Sequence, residues 1–286
     1  MITRTGPIGI FDSGYGGLSI FKEIRKSLPK YDYVYLGDNA RVPYGTRSFE
    51  TVYQYTLEGV MQLFNLQCPL IILACNTASA KALRTIQTLD LPRLGGYKRV
   101  LGVIRPTTEQ IGNYTRTRKI GILATPGTVR SQSYLLEINR FFPELTVYQQ
   151  ACPLWVPLIE NGDLDNPGAE HFIAKDIQTL LQQDPDMDTI VLACTHYPLI
   201  LPIIRKYTPA HIQILPQGPL VAQRLKAYLD IHQDMNKQCS QEGHVRFLTT
   251  ESAIDFERMA PSFYGELLKV EHIDLPQISL KHRGLR

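Results

Sequence analysis

The stretches IILACNTASA (residues 71–80) and IVLACTHYPL (residues 190–199) end in nearly the same way. Each is an apolar run followed by Ala-Cys and then by small polar residues. An unbroken run of Ile, Val and Leu fits a strand covered on both faces, as in a parallel sheet flanked by helices. The polar residues after Cys75 and Cys194 mark the strand end. In open α/β sheets ligands bind along that edge. The two stretches therefore predict a fold class and also a place in it for a site.

Working outward, similar short runs recur along the chain. IGIF (8–11), YVYL (33–36), LIILA (70–74), VLGVI (100–104), KIGILA (119–124), TIVLA (189–193), IQIL (212–215) and VRFLT (245–249) read as strands. Between them lie helix-period segments near 18–28, 48–66, 79–89, 130–141, 168–182 and 219–231. Strands alternating with helices argue for βαβ units and mostly parallel sheets. GIFDSG (9–14) and GILATPG (121–127) are both strands opening into turns, and their spacing nearly equals that of the two cysteines. The simplest account is an α/β protein of two pseudo-symmetric domains, each a mostly parallel sheet flanked by helices. The GGY turn (95–97) sets the boundary: residues 1–98 with 209–286 form one domain, and residues 99–208 the other.

The bulk numbers restrict the function classes. A chain of 286 residues can bury one large core or two ordinary ones. Apolar content of 44% with 20% charged residues is globular, and a net charge of +3 without a Lys/Arg run points to neither nucleic acid nor an anionic membrane. Apolar runs such as PLIILA (69–74) are too short to span a bilayer. The start, MITRTGPIGIF, shows no long apolar signal region, so a cytoplasmic location is expected. Cys68, Cys75, Cys152, Cys194 and Cys239 are odd in number and include no CxxC pair, which favours free thiols over disulfides or a zinc site.

Cys75 and Cys194 differ from the other three. Each sits just past a strand end, followed by Asn76-Thr77 and by Thr195-His196. Pro198 suits the first turn of a helix. A thiol at a helix N-terminus has its pKa lowered from about 8.5 toward neutrality, and a lowered value is the expectation here. Cys68, Cys152 and Cys239 lack that context and read as structural. Asp12-Ser13 ends the first strand before Gly14, Gly16 and Gly17, a turn that matches neither GxGxxG nor a P-loop. Asp12 reads either as a helix cap or as a site residue. The loop DNARVPYGTRS (38–48), which holds Tyr44 and Gly45, reads either as a connector or as a ligand-binding loop. His196, two residues from Cys194, is suited to handling its proton. No His or Cys has metal-ligand spacing, so no metal is expected.

Paired thiols suit one reaction in particular. Inverting an amino acid at its α-carbon needs a base on one face and an acid on the other, with the roles exchanged in the reverse direction. Two pseudo-symmetric halves could supply such a pair, with Ser13, Asn76, Thr77 and Thr195 holding the substrate's charged groups.

FDSGYGGLS, GDNARVPYG, ACNTASA, ATPGTVRSQSY, ACPLWVPLIE and LACTHYPL occur in that order, and together they resemble the glutamate racemases of the aspartate/glutamate racemase family. The similarity runs from about residue 7 to about residue 275. The resemblance implies two α/β domains with the site in the cleft between them, a homodimer, and neither pyridoxal phosphate nor metal. It implies glutamate as substrate, with D-glutamate supplied to bacterial peptidoglycan. Cys75 and Cys194 match the family's acid/base cysteines, and Asp12 and His196 the residues that assist them. Asp12-Ser13, Tyr44-Gly45, Asn76-Thr77 and Thr195-His196 match its substrate-binding pairs. Two stretches depart from the pattern: Arg105 in GVIRPTTE (102–109) stands where the family commonly has an acidic residue, and PQGPLVAQ (216–223) replaces an acidic-Ser turn. The short N-terminus leads us to expect no activation by a precursor. Relatives acting on aspartate or a hydantoin share paired cysteines but not the DNARVPYG and CTHYP wording. A silent amino-acid-binding protein would need only the hydrogen-bonding pairs.

Overall fold

The apolar runs sort by parity in the computed structural model, which describes residues 5–278. In β1 (Ile8–Asp12), β2 (Tyr33–Gly37) and β3 (Leu70–Leu73), the side chains of Ile8, Ile10, Tyr33, Tyr35, Leu70 and Ile72 join one buried cluster. Phe11, Val34, Leu36, Ile71 and Leu73 from the same strands join a second. Successive strand residues point to opposite faces. A strand apolar at nearly every position is therefore what cover on both faces requires.

β4 (Arg99–Gly102), β9 (Val245–Thr249) and β10 (Val270–His272) complete the first sheet, in the order β10-β9-β2-β1-β3-β4. β5 (Lys119–Ala124), β6 (Thr146–Ala151), β7 (Thr189–Ala193) and β8 (Gln213–Pro216) form the second, in the order β6-β5-β7-β8. Every pairing in both sheets is parallel. The second order repeats the β2-β1-β3-β4 part of the first. The register repeats as well: Phe11 pairs with Leu73, and Leu123 with Leu192. Cys75 and Cys194 each stand two residues beyond those partners, so they occupy equivalent places.

Sheet membership shifts the expected boundaries. β4 lies beside β3, so residues 99–102 extend the first sheet instead of opening the second unit. β8 lies beside β7, so residues 213–216 close the second sheet instead of returning to the first. The GGY turn, with Gly95 and Gly96 at positive φ, is a short helix-to-strand loop that still delivers the chain to the first sheet. The return comes with the helix Gly218–Ile231, which packs on the helix Gly17–Ser27. β6 and β10 were not foreseen. β6 is a half-buried edge strand reading TVYQQA, and β10 has three residues, so neither carries an apolar run. The helix expected near 130–141 is broken at Gln132, which takes a left-handed φ of 57°.

The two sheets share a core. Leu123, Leu192, Ile214 and Trp155 belong to the same buried cluster as Ile8 and Ile10. On the other face of the first sheet lies the helix Phe49–Asn65, capped by Ser48, whose hydroxyl accepts the Thr51 N–H at 3.1 Å. Its inner stripe includes Val52, Leu57, Val60 and Leu63.

Gly59 lets this helix approach the sheet, since a Cβ there would lie 2.2 Å from Cε2 of the buried Phe11. Replacing Gly59 by Ala should raise helix propensity by about 0.5–1 kcal/mol. Overpacking against Phe11 should cost more, about 1–3 kcal/mol. We expect Gly59→Ala to lower the midpoint of thermal unfolding; an unchanged or higher midpoint would show that Phe11 can move aside.

Candidate active site

Residues that follow strands of both sheets line one cavity of about 50 Å³. Ser13, Tyr44, Gly45, Cys75, Asn76 and Thr77 come from the first unit. Thr125, Cys152, Glu160, Cys194, Thr195 and His196 come from the second. Of the catalytic and substrate-binding residues expected from the sequence, only Asp12 is not in the wall; it is fully buried next to Ser13 in the chain.

Cys75 caps the helix Asn76–Lys81, and its Sγ accepts the Ala78 N–H and the Ser13 hydroxyl, each at 3.4 Å. The expected lowering of its pKa does not occur. Burial dominates and the charge of Asp12 adds to it, so the thiol is pushed up to about 12, with the two hydrogen bonds opposing only in part. A helix terminus of one turn cannot offset removal from water. Asp12 is itself raised by burial, against the opposing charge of His196. Its Oδ2 accepts the Gly14 N–H at 3.0 Å, while Oδ1 is buried without a partner.

Cys194 has different neighbours. Its Sγ lies 3.8 Å from His196 Nδ1, and His196 Nε2 lies 2.8 Å from Glu160 Oε1. Burial disfavours the imidazolium, but Cys194 and Glu160 outweigh it and raise His196 to about 10. The ring is poised between a sulfur and a carboxylate, both of which favour its charged form. Phe263 meets it edge-on. Glu160 was not singled out from sequence: it ends the helix Trp155–Glu160, and only the fold brings it to His196.

The other predicted residues are tied to neighbouring segments around the cavity. The Tyr44 hydroxyl is bound to Asp38, a carboxylate that also holds Arg41 and Thr250, so that hydroxyl is already engaged within the protein. The Gly45 carbonyl accepts the Gly127 N–H at 2.7 Å, and the Thr77 and Thr125 hydroxyls lie 3.0 Å apart. Ser19 donates to the Thr195 carbonyl at 2.8 Å. These contacts join the two units around the cavity.

Asn76 enters a buried ring. Its Nδ2 donates to Gln217 Oε1 at 2.6 Å, Gln217 Nε2 donates to the Tyr134 oxygen at 2.7 Å, and Tyr134 donates to Asn76 Oδ1 at 2.7 Å. Gln217 and Tyr134 were missed as individuals, although Gln217 lies in the departing stretch 216–223. Arg105, the other departure, pairs with Glu137 at the surface. Cys68 and Cys239 are buried away from the cavity wall, and Cys152 is a fully buried part of it. Asp32, Glu242 and His244 gather at the surface, and none of them lines the cavity. Among the described residues no helix is long and apolar enough to cross a membrane.

Comparison with known proteins finds similar sequences and similar folds. Residues 8–223 match the family model described as Asp/Glu/Hydantoin racemase. The chain is 39% identical to a glutamate racemase of Geobacter metallireducens over 275 residues, covering 96% of this chain and 97% of the relative. Its fold is similar to that of a glutamate racemase isoform from Bacillus anthracis, with a TM-score of 0.85 and 32% identity over 95% of this chain and 98% of the other. It is also similar to the Francisella tularensis glutamate racemase solved with D-glutamate, with a TM-score of 0.82 and 29% identity over 94% and 98% of the two chains. A match over most of the chain, together with near-complete coverage by a relative of this identity, places the protein in the Asp/Glu/hydantoin racemase family.

Proposed function

We propose that this protein inverts glutamate at its α-carbon, with Cys75 and Cys194 as acid and base on opposite faces of the substrate. The observation that carries the reading is the pair of thiols at equivalent strand ends in the wall of one cavity. Glutamate is chosen because relatives of high coverage bear that name. Those acting on aspartate or a hydantoin would lack the DNARVPYG and CTHYP stretches.

The surroundings of the thiols suggest the starting roles. Cys194, beside the His196 imidazolium, takes the α-proton of L-glutamate. The Cα–H bond breaks to form S–H, and its electron pair stays on Cα, spread into the α-carboxylate. Cys75, held as a thiol, delivers its proton to the other face and becomes a thiolate, giving D-glutamate. The reverse direction exchanges the roles, with Asp12 placed to assist Cys75. Ser13, Asn76, Thr77, Thr195 and the Tyr44–Gly45 backbone would hold the charged groups of the substrate. By family resemblance the reaction uses no pyridoxal phosphate and no metal, the enzyme is a cytoplasmic homodimer, and its product supplies peptidoglycan.

In deuterated water, early D-glutamate made from L-glutamate should carry deuterium at Cα while the remaining L-glutamate does not. Equal early labelling of both would sink the two-thiol reading. Cys75→Ala and Cys194→Ala should each abolish inversion, because one face then lacks its group. A variant of either kind that still racemises well counts against it, and an amino-acid-binding protein would retain glutamate without turnover.

Asp12→Asn and His196→Asn should each lower turnover by about 10²- to 10⁴-fold in a folded protein. For His196 stability adds an independent reading. Its folded pKa of about 10 lies above the unfolded value of 6.5. The stabilisation is therefore fully present below about pH 6.5 and is lost as pH rises through about 10. In denaturant unfolding, the parent's advantage over His196→Asn should shrink across that interval. A constant difference would show that the imidazolium is not held by Cys194 and Glu160.

A further inference from the structure

The ring of Asn76, Gln217 and Tyr134 joins three distant parts of the chain beside one thiol. Asn76 follows Cys75 directly, Tyr134 lies in the helix Ser133–Phe141, and Gln217 stands between β8 and the helix Gly218–Ile231. All three are nearly inaccessible; Gln217 and Asn76 are each 2% exposed and Tyr134 is fully buried.

The direction of the ring is fixed by its surroundings. Gln217 Nε2 lies 3.3 Å from the Val103 carbonyl and 2.9 Å from the Thr107 hydroxyl. A carbonyl only accepts, so the amide nitrogen must face it. The Thr107 hydroxyl donates to that same carbonyl, which leaves its oxygen free to accept from Gln217. With the Gln217 amide oriented, its oxygen must receive the Asn76 N–H, and Tyr134 must donate to Asn76. Each donor then has an acceptor around a closed cycle, an arrangement in which hydrogen bonds reinforce one another in a medium of low dielectric.

We propose that Gln217, acting through this ring, is the positioning residue for Cys75. It holds no reacting atom. It fixes the side chain of Asn76, and with it the first turn of the short helix whose N–H binds the Cys75 sulfur. Asn76 uses one of its two N–H groups and one of its two oxygen lone pairs in the ring, which leaves a fixed donor and a fixed acceptor. Because Tyr134 and Gln217 come from beyond the first sheet's Cys75 unit, the ring sets that thiol relative to the half of the molecule that carries Cys194. The sulfur of Cys194 is instead oriented by His196, whose ring is held in turn by Glu160.

The inference rests on the two-thiol reading, and its test separates the two. Gln217→Met keeps length and apolar bulk but removes the amide, and Tyr134→Phe removes one hydroxyl. Each opens the same ring, so each should lower kcat by about 10²-fold, the scale of a misplacement near 1 Å, with KM for glutamate changed much less. The double variant should be no worse than the poorer single one, since the ring is already open. Site-resolved alkylation with iodoacetamide, read by peptide mass spectrometry on the folded proteins, should rise several-fold at Cys75 relative to Cys194 in both single variants. Tyr134→Phe is the milder change, and it decides the matter if Gln217→Met fails to fold. If the parent racemises glutamate but Tyr134→Phe matches it in kcat and in the Cys75 to Cys194 ratio, the ring has no positioning role. Strictly multiplicative losses in the double variant would equally overturn it. If the parent does not racemise, the two-thiol reading fails, and the alkylation ratio still decides whether the ring orders Cys75.

Discussion

The structure depends on one shared apolar layer. A parallel sheet must be covered on both faces, and each sheet here uses the other unit for part of that cover. Ile8 and Ile10 of β1 and Leu123 and Leu192 of the second sheet belong to a single buried cluster that includes Trp155 and Tyr197. Because the strands within each sheet run parallel, their C-terminal ends lie along one edge of that sheet. Burying the layer brings the strand-end turns of both units to one cavity. Cys75, Ser13 and Thr77 thus meet Thr125, Cys194 and His196 as a result of packing.

Polar contacts then set the fit that the apolar layer leaves loose. The Gly45 carbonyl to Gly127, the Thr77–Thr125 pair, Ser19 to the Thr195 carbonyl and the ring through Gln217 all cross between the units. Each is buried or partly buried, where a lost partner costs more than the bond itself contributes. Gly16 shows how close the approach is: a Cβ there would lie 2.3 Å from Thr195 Oγ1 and 2.4 Å from His196 Nδ1.

Much of the fold was legible because buried parallel strands declare themselves as unbroken apolar runs. KIGILA and TIVLA needed no tertiary information. β6 was not legible because an edge strand half open to solvent can read TVYQQA. The boundaries were misjudged because strand pairing is long-range: nothing in VLG or QILP says which neighbour it takes. The site divides in the same way. Cys75, Cys194, Ser13, Thr77 and His196 are marked by their place after a strand. Glu160 reaches the cavity, and Tyr134 and Gln217 reach Asn76, only through packing between segments distant in sequence. The pKa of Cys75 was misjudged for a related reason, since helix capping is a local property of the sequence and depth of burial is not.

The unequal surroundings of two equivalent thiols have a consequence of a different kind. The strand order repeats between the two sheets, but the Ser13 hydroxyl and the charge of Asp12 act on one sulfur, while the other faces the His196 ring, which Glu160 holds from its far side. Mirror-image amino acids have equal free energy, so for an inversion the ratio of forward to reverse kcat/KM is one whatever the enzyme's shape. Asymmetry in the protein cannot favour one enantiomer at equilibrium. It can only determine how each direction divides between saturation and turnover, and in which protonation form the free enzyme waits. The broken symmetry of the site therefore belongs to its timing, while the balance between the two products belongs to the substrate alone.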